Sequence, residues 1–412
     1  MEKAILIIDP NVSIEYAISE FSRWGYKVLG LATSNYDSSI NYSIFDSFKF
    51  SANDLERDRE NFEYFIKNYD IKYAFCNEEF SVIYADQLLS KYLPDFANSH
   101  SSSEKRYSKY AMQENIKYFG LPSVPMLKLG SYLTKEEKVE STYKFLDMYR
   151  DIVLKPDSNS GGSVGVKNIY DKAQINQYFN DNSKPMFANV DSYLLQGLIS
   201  GQEYYIDTVS FKGSHIITSI GKYNKSVEDG NFLCHYVDIK SAVDPEVKPI
   251  VDYVKKLLDI FEIKNGPAHW EVKYDGSSNQ LFLIELNMRI SGLRGLLNLA
   301  ASKRQGLDQV LGIHKLIEGG VTSLGSQEYK NIRLYILKNF KGKYSSIDKD
   351  ILLKALKSQS REFFLFNDSS DSATQNVLDL VGVCLLESSN QDHIDEDTRI
   401  ISKLERQGAF LQ

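Results

Sequence analysis

The chain has 412 residues, 42% of them hydrophobic, and 48 basic residues stand against 55 acidic ones for a net charge of −7. That length supports two or three domains around a substantial core, and an acidic balance without a strongly basic region argues against nucleic acid as a partner. Three scattered cysteines, Cys76, Cys234 and Cys384, lack zinc-site spacing and fit a reduced, cytoplasmic compartment. The opening Met1-Glu-Lys-Ala-Ile-Leu-Ile-Ile-Asp9 is too short an apolar run for a secretory signal. No stretch reaches the roughly 20 apolar residues of a bilayer span, so no membrane role is expected.

Residues 4–8 read as a buried strand, followed by a helix over 13–24 and a second strand at 27–31. A helix over 55–68 leads to a strand at 71–75, a βαβ rhythm that implies an open parallel sheet. After the first strand the chain reads Asp9-Pro10-Asn11-Val12-Ser13. A dinucleotide fold needs Gly-x-Gly-x-x-Gly there, which argues against a nicotinamide dehydrogenase. The polar run 98–103 reads as a linker, 104–119 as a helix, and Gly120-Leu-Pro-Ser-Val-Pro125 as its break. Residues 244–261 give the clearest helix, with Asp244 as N-cap, Pro245 in the first turn and one apolar stripe. Helices follow over 293–305 and 307–319, and strands are expected near 332–337 and 381–386.

Three segments carry chemistry. The first runs His269-Trp-Glu271-Val-Lys273-Tyr, then Asp275-Gly-Ser-Ser-Asn279, then Leu281-Phe-Leu283-Ile-Glu285-Leu-Asn287-Met-Arg289. The Asp-Gly-led linker reads as a hairpin turn between β-rich runs. Strand alternation puts His269, Glu271 and Lys273 on one side, and Leu281, Leu283, Glu285 and Asn287 on one side of the partner. Paired, Glu271 falls within about 5–8 Å of Glu285 or Asn287. Two carboxylates that close call for a positive charge between them, and carboxylate and amide oxygens are ligands Mg²⁺ prefers, with phosphates completing its shell. Acids on a solvated face are the plain alternative. The second segment is Lys155-Pro-Asp-Ser-Asn-Ser160-Gly161-Gly162-Ser163-Val-Gly165, a strand ending in lysine and then a small-residue loop. Its backbone N–H groups suit a phosphate nest, although an ordinary turn reads the same way. The third is Gln196-Gly-Leu-Ile-Ser-Gly201-Gln-Glu203, apolar residues running up to a polar one before a new strand.

In this order the three segments resemble the ATP-grasp superfamily over about residues 1–325. The resemblance implies ATP as cosubstrate with Mg²⁺, two ions and Mn²⁺ able to substitute. It assigns Lys109 and Lys155, with Ser160, Gly161, Gly162 and Ser163, to the phosphates, and Glu203 to the ribose. Gln196 stands by the adenine, where the family usually has Glu. Glu271, Glu285 and Asn287 correspond to the metal ligands, and Arg289 to the basic residue facing the transferred phosphate. Within the superfamily, Asn77-Glu-Glu79-Phe-Ser-Val-Ile-Tyr-Ala-Asp86 and Cys234-His235-Tyr236 resemble the L-amino acid ligases, which make dipeptides, and among them an arginine-selecting type. Glu79 and His235 are its substrate-binding candidates. An arginine pocket needs a carboxylate, for which Glu79, Glu228, Asp229 and Asp238 are available.

The implied fold is α/β and α+β. It comprises an N-terminal βαβ domain (1–98), an ATP-grasp domain (99–325, mobile lid about 125–193) and a mixed C-terminal subdomain (326–412). The implied reaction passes through an aminoacyl phosphate and releases ADP and phosphate, with small-molecule amino acids as partners and a homodimer as the oligomer to test. His269 either takes the amine's proton or is a structural histidine beside the metal site. Arg294, near a helix start, either binds an anion or makes a surface salt bridge. A ligase with another acceptor and a non-catalytic ATP-binding protein are the rival functions.

Overall fold

The computed structural model describes residues 1–33, 40–158, 164–180, 192–228, 230–320, 330–376 and 379–412. The parallel sheet expected at the N-terminus is present. Strands β1 (Glu2–Ile8), β2 (Lys27–Ala32), β3 (Ser47–Phe50) and β4 (Tyr69–Cys76) run parallel in the order β3-β2-β1-β4. Residues 4–8 are wholly buried because helices cover both faces. Helix α1 (Glu15–Arg23) packs on Ile5 and Ile7, while α2 (Leu55–Asn68) and α3 (Val82–Tyr92) pack on Ala4, Leu6 and Ile8.

The polar run 98–103 is not a linker. The Asn98 side-chain oxygen accepts from the backbone N–H of Lys264 (2.8 Å) and Asn265 (3.0 Å). A 3-10 helix, His100–Arg106, follows. Arg106 is fully buried and donates to Asp86 (2.8 Å) and to the carbonyls of Ser99 (2.7 Å) and Phe261 (3.0 Å). Short polar side chains suit a buried backbone junction as well as a solvated linker, and here they serve the junction. The helix expected over 104–119 is accordingly interrupted at Tyr107. Ser108 then caps α4 (Lys109–Tyr118) by accepting from the Ala111 N–H.

Strands β5 (Met126–Leu129), β6 (Ile152–Pro156), β7 (Lys167–Ile169) and β8 (Tyr193–Gly197) form a small antiparallel sheet, order β5-β8-β6-β7. Helices α5 (Lys135–Tyr149) and α6 (Lys172–Asn180) cover one face, with Phe145, Leu146 and Ile175 against Ile152, Leu154 and Leu195. The other face, carrying Val153, Lys155 and Gln196, lines an interior cavity.

The third sheet has eight antiparallel strands: β9 (Gln202–Phe211), β10 (Ser214–Glu228), β11 (Asn231–Lys240), β12 (Gly266–Asp275), β13 (Gln280–Asn287), β14 (Asn331–Leu337), β15 (Ser360–Leu365) and β16 (Gly382–Ser388). Their order is β13-β12-β9-β10-β11-β14-β16-β15. Tyr236 pairs with Tyr335 across β11 and β14, so the strands beyond residue 326 extend the central sheet. Helix α7 (Lys248–Ile260) packs behind the acidic hairpin, with Ile250, Val254, Leu257 and Leu258 in one cluster with Trp270, Val272, Leu283 and Leu286. Asp244 does not cap it. A 3-10 turn, Pro245–Val247, comes first, and the Asp244 carboxylate accepts from the Ser241 N–H (2.9 Å). The helix expected from residue 293 starts only at α8 (Leu296–Gln305), because Leu293, Arg294 and Gly295 hold left-handed φ of 55°, 54° and 83°. Asp308 caps α9 (Gln309–Ile317). No helix among the described residues is long and apolar enough to cross a membrane.

Arg106→Ala leaves the Asp86 carboxylate buried without its cation. We expect a loss of about 3–5 kcal/mol in urea unfolding, largely recovered when Asp86 is also replaced by Leu. A loss under about 1 kcal/mol in the single variant would contradict a stapling role.

Candidate active site

The site is built on three neighbouring strands. Across β9, β12 and β13, Asp207, His269 and Asn287 stand opposite one another, as do Tyr205, Glu271 and Glu285. On β9 and β12, Glu203 faces Lys273. Of the two partners expected for Glu271, Glu285 and Asn287, the register sets Glu285 opposite it. One side-chain assignment is corrected. Between the pairs Glu271–Glu285 and Val272–Leu283 the second strand skips Ile284, a bulge that reverses the alternation. Leu283 therefore lies in the core with Val272, while Ile284, Glu285 and Asn287 line the cavity.

Three cations reach these acids from separate parts of the fold. Lys109, the first residue of α4, places Nζ 2.8 Å from Glu285 Oε1. Burial alone would lower its pKa, but Glu285 and Glu79 hold it above the ordinary value. Lys155, from β6, is buried with weaker compensation, and its ammonium is pushed down to about 8. Arg289, just past β13, brings Nε to 3.5 Å from Glu79 Oε2. Burial opposes the ionised form of Glu285, yet Lys109 and Lys155 hold its carboxyl below the usual range. Asp157 ties the small sheet to α4: its side chain accepts from the Tyr110 N–H (2.8 Å) and pairs with Lys128 (2.7 Å), and its carbonyl accepts from the Lys109 N–H (3.3 Å).

His269 is oriented by Asp207, which meets its Nδ1 at 2.7 Å, and by stacking on Tyr205 with centroids 5.2 Å apart. Its Nε2 lies 4.0 Å from Glu271. Gly221 leaves room for Tyr205, since a Cβ there would sit 1.9 Å from that ring. Glu203 is gripped by Lys225, with Lys273 at 3.7 Å. Burial raises its pKa, but the two lysines outweigh it and leave the carboxyl low.

One cavity of about 530 Å³ is lined by Lys109, Lys155, Gln196, Glu203, Glu271, Glu285, Asn287, Arg289, His269 and Glu79. Ser160, Gly161, Gly162, Ser163 and Asp229 lie outside the described residues. His235 does not line the cavity. It is the residue skipped between the pairs Asn224–Tyr236 and Lys225–Cys234, and it turns to Ser226 (2.7 Å). Arg294 is exposed and sits over the Phe366 ring at 4.8 Å, so it does not face the cavity either. Among the arginine-pocket acids, Asp238 is occupied by Arg333 (2.6 and 3.0 Å) and Glu228 by Arg406 (3.2 Å), and neither lines the cavity. Sequence reasoning missed Glu78, Asp157, Asp207, Lys225 and Lys273. Three of these stood inside motifs already in view: Glu78 beside Glu79, Asp157 directly after Lys155-Pro, and Lys273 on the strand face of Glu271.

Among the described residues, no group of three or more His, Cys, Asp or Glu side chains converges on one ion position. The set Glu271, Glu285 and Asn287 is instead two carboxylates and an amide, hard oxygen donors that leave room for phosphate oxygens. The buried amide nitrogen of Gln196 has no partner among the described residues, an open donor on the same cavity wall. The residues fit a metal-bound nucleotide triphosphate.

Residues 148–296 match the ATP-grasp domain. The chain is 25% identical over 230 residues to dapdiamide A synthase of Enterobacter agglomerans, covering 55% of this chain and 52% of the relative. It is 25% identical over 186 residues to the L-arginine-specific L-amino acid ligase of Bacillus subtilis, covering 45% and 43%. The matches thus span about half the length of these curated relatives. The crystal structure of an L-amino acid ligase from Bacillus licheniformis superposes with a TM-score of 0.72 at 18% identity, covering 97% of each chain. The fold is that of the ATP-grasp ligases.

Lys155 generates a pH prediction. Its ammonium is charged below about 8 and neutral above, so the cavity loses a positive charge as pH rises through that value. We expect ADP affinity, measured by calorimetry, to fall between pH 7 and 9 in the wild type and to stay flat in Lys155→Arg. A flat wild-type profile would remove Lys155 from the phosphate contacts.

Proposed function

We propose that this chain, which carries an ATP-grasp domain, joins the carboxylate of one L-amino acid to the amine of another with release of ADP and phosphate. The observation that carries the reading is the meeting, in one cavity, of Lys109, Lys155 and Arg289 with Glu271, Glu285 and Asn287. Catalysis of this kind depends on positioning and on neutralising charge. In the first step a carboxylate oxygen bonds to the γ-phosphorus of ATP as the bond to the bridging oxygen breaks. Lys109, Lys155 and Arg289 offset the negative charge that shifts between those oxygens. Glu271, Glu285 and Asn287 would hold Mg²⁺, which screens the phosphates. Glu203 and Gln196 hold the nucleoside end. In the second step the amine attacks the acyl carbon, phosphate leaves, and the amine's proton passes to a base. His269, which lines the cavity and is oriented by Asp207, is our choice for that base.

The choice of amino acids as substrates is supported by the similarity to the L-arginine-specific ligase and by the N-terminal end of the cavity. Glu78 and Glu79 both line it, and Arg289 is the guanidinium set against them. Burial, and then Glu79, push the Glu78 carboxyl up to about 7. Acid in excess of cation suits a substrate ammonium or guanidinium, and arginine is our choice for the N-terminal residue.

Glu285→Ala should lower ADP release by roughly 10³-fold or more, as expected when a group acting on the transferred phosphate is lost, with an unchanged circular dichroism spectrum. Turnover like wild type would reject the metal assignment. Glu203→Gln should raise KM for ATP several-fold with a smaller effect on kcat; an unchanged KM would exclude it from the nucleoside contacts. Substrates are identified by ADP release across the twenty amino acids, singly and in pairs, with mass spectrometry of products. A dipeptide containing arginine is expected. ADP release that requires a non-amino-acid amine would replace the dipeptide reading with another carboxylate–amine ligation.

A further inference from the structure

Gln196 lies on the cavity face of the small sheet, in register with Val153 on β6 and Met126 on β5. It is only 4% exposed, and its amide nitrogen has no hydrogen-bond partner among the described residues. Val153, opposite Gln196 in the sheet, and Leu198 and Ile284 line the same cavity, apolar surface for a flat ring, and Lys155 stands two residues along β6 from Val153. A buried donor without a partner is costly, so the ring edge that meets Gln196 must satisfy it.

A primary amide carries a donor pair and an acceptor side by side, and rotation about its last bond exchanges them. In one setting it accepts from the 6-amino group of adenine and donates to N1. Turned over, it donates to the 6-oxygen of hypoxanthine or guanine and accepts from the N1–H. A carboxylate at the same place only accepts, and would set an anion against the 6-oxygen. We propose that the base slot takes 6-oxopurine as well as 6-aminopurine nucleotides, with Gln196 reading either ring edge by turning its amide. The inference rests on the nucleotide site of the proposed function, and extends it from ATP to a second class of phosphoryl donor.

The test is calorimetric binding of ADP and of inosine diphosphate, which needs no amino acid substrate and no turnover. We expect the two dissociation constants in the wild type to agree within about tenfold, the discrimination of a site that leaves no polar group unpaired with either ring. A wider preference for ADP overturns the proposal and leaves the nucleotide site standing. Absence of binding by both nucleotides overturns the site itself, and the proposal with it. In Gln196→Glu the ratio should move toward ADP by about a hundredfold or more, since an acceptor then faces an acceptor. A ratio that does not move in the folded variant rejects Gln196 as the reader. Should that variant fail to fold, the wild-type ratio alone decides.

Discussion

The structure turns on two carboxylates that the sheet forces together. The hairpin register sets Glu271 opposite Glu285 on a face turned away from bulk water. Opposed like charges destabilise a strand pair, and the penalty grows as solvent is withdrawn. The pair persists because cations come to it from outside the hairpin: Lys109 from a helix start, Lys155 from the small sheet, Arg289 from the segment after β13. Each needs a separate piece of the chain to be in place. The interruption at Tyr107 is part of this arrangement, for it lets Ser108 begin a new helix whose first residue is Lys109. Asp157 then fixes the small sheet against that helix start through Tyr110 and Lys109.

Much of this was legible in the sequence where the signal was local. The βαβ rhythm, the 55–68 helix, the apolar stripe before Phe261 and the Asp-Gly turn each depend on residues a few places apart. Glu271, Glu285 and Asn287 stood out because one hairpin carries all three. What escaped was set by pairing between distant strands or by a single extra residue. The lysines on Glu203 come from β10 and β12, 22 and 70 positions on in the chain, and no spacing rule links them. The bulges at Ile284 and His235 each skip one residue, and one skipped residue sends every later side chain to the opposite face. Leu283 went to the core for that reason, and His235 turned from the cavity to Ser226. The polar run before Arg106 failed differently, because its side chains serve buried backbone groups that only tertiary structure reveals.

Charge within the cavity is distributed unevenly, and the unevenness has a chemical consequence under the proposed reaction. Near the small sheet and α4, Lys109 and Lys155 stand close to Glu285 and Glu271. At the N-terminal sheet, Glu78 and Glu79 face Arg289 across the junction. A zwitterionic amino acid entering this field is drawn with its carboxylate toward the cations and its ammonium toward the two glutamates. That orientation presents the carboxylate oxygen to the phosphate end, the geometry the first step needs. The same glutamates come from the loop after β4, whose Asn77 also accepts from the Ile290 N–H (3.2 Å) beside Arg289. Under the proposed reaction, substrate orientation would thereby be coupled to the position of the Arg289 guanidinium. A chain that bound a nucleotide without ligation would have no need of that coupling, and it is this feature, more than the nucleotide contacts, that favours an enzyme.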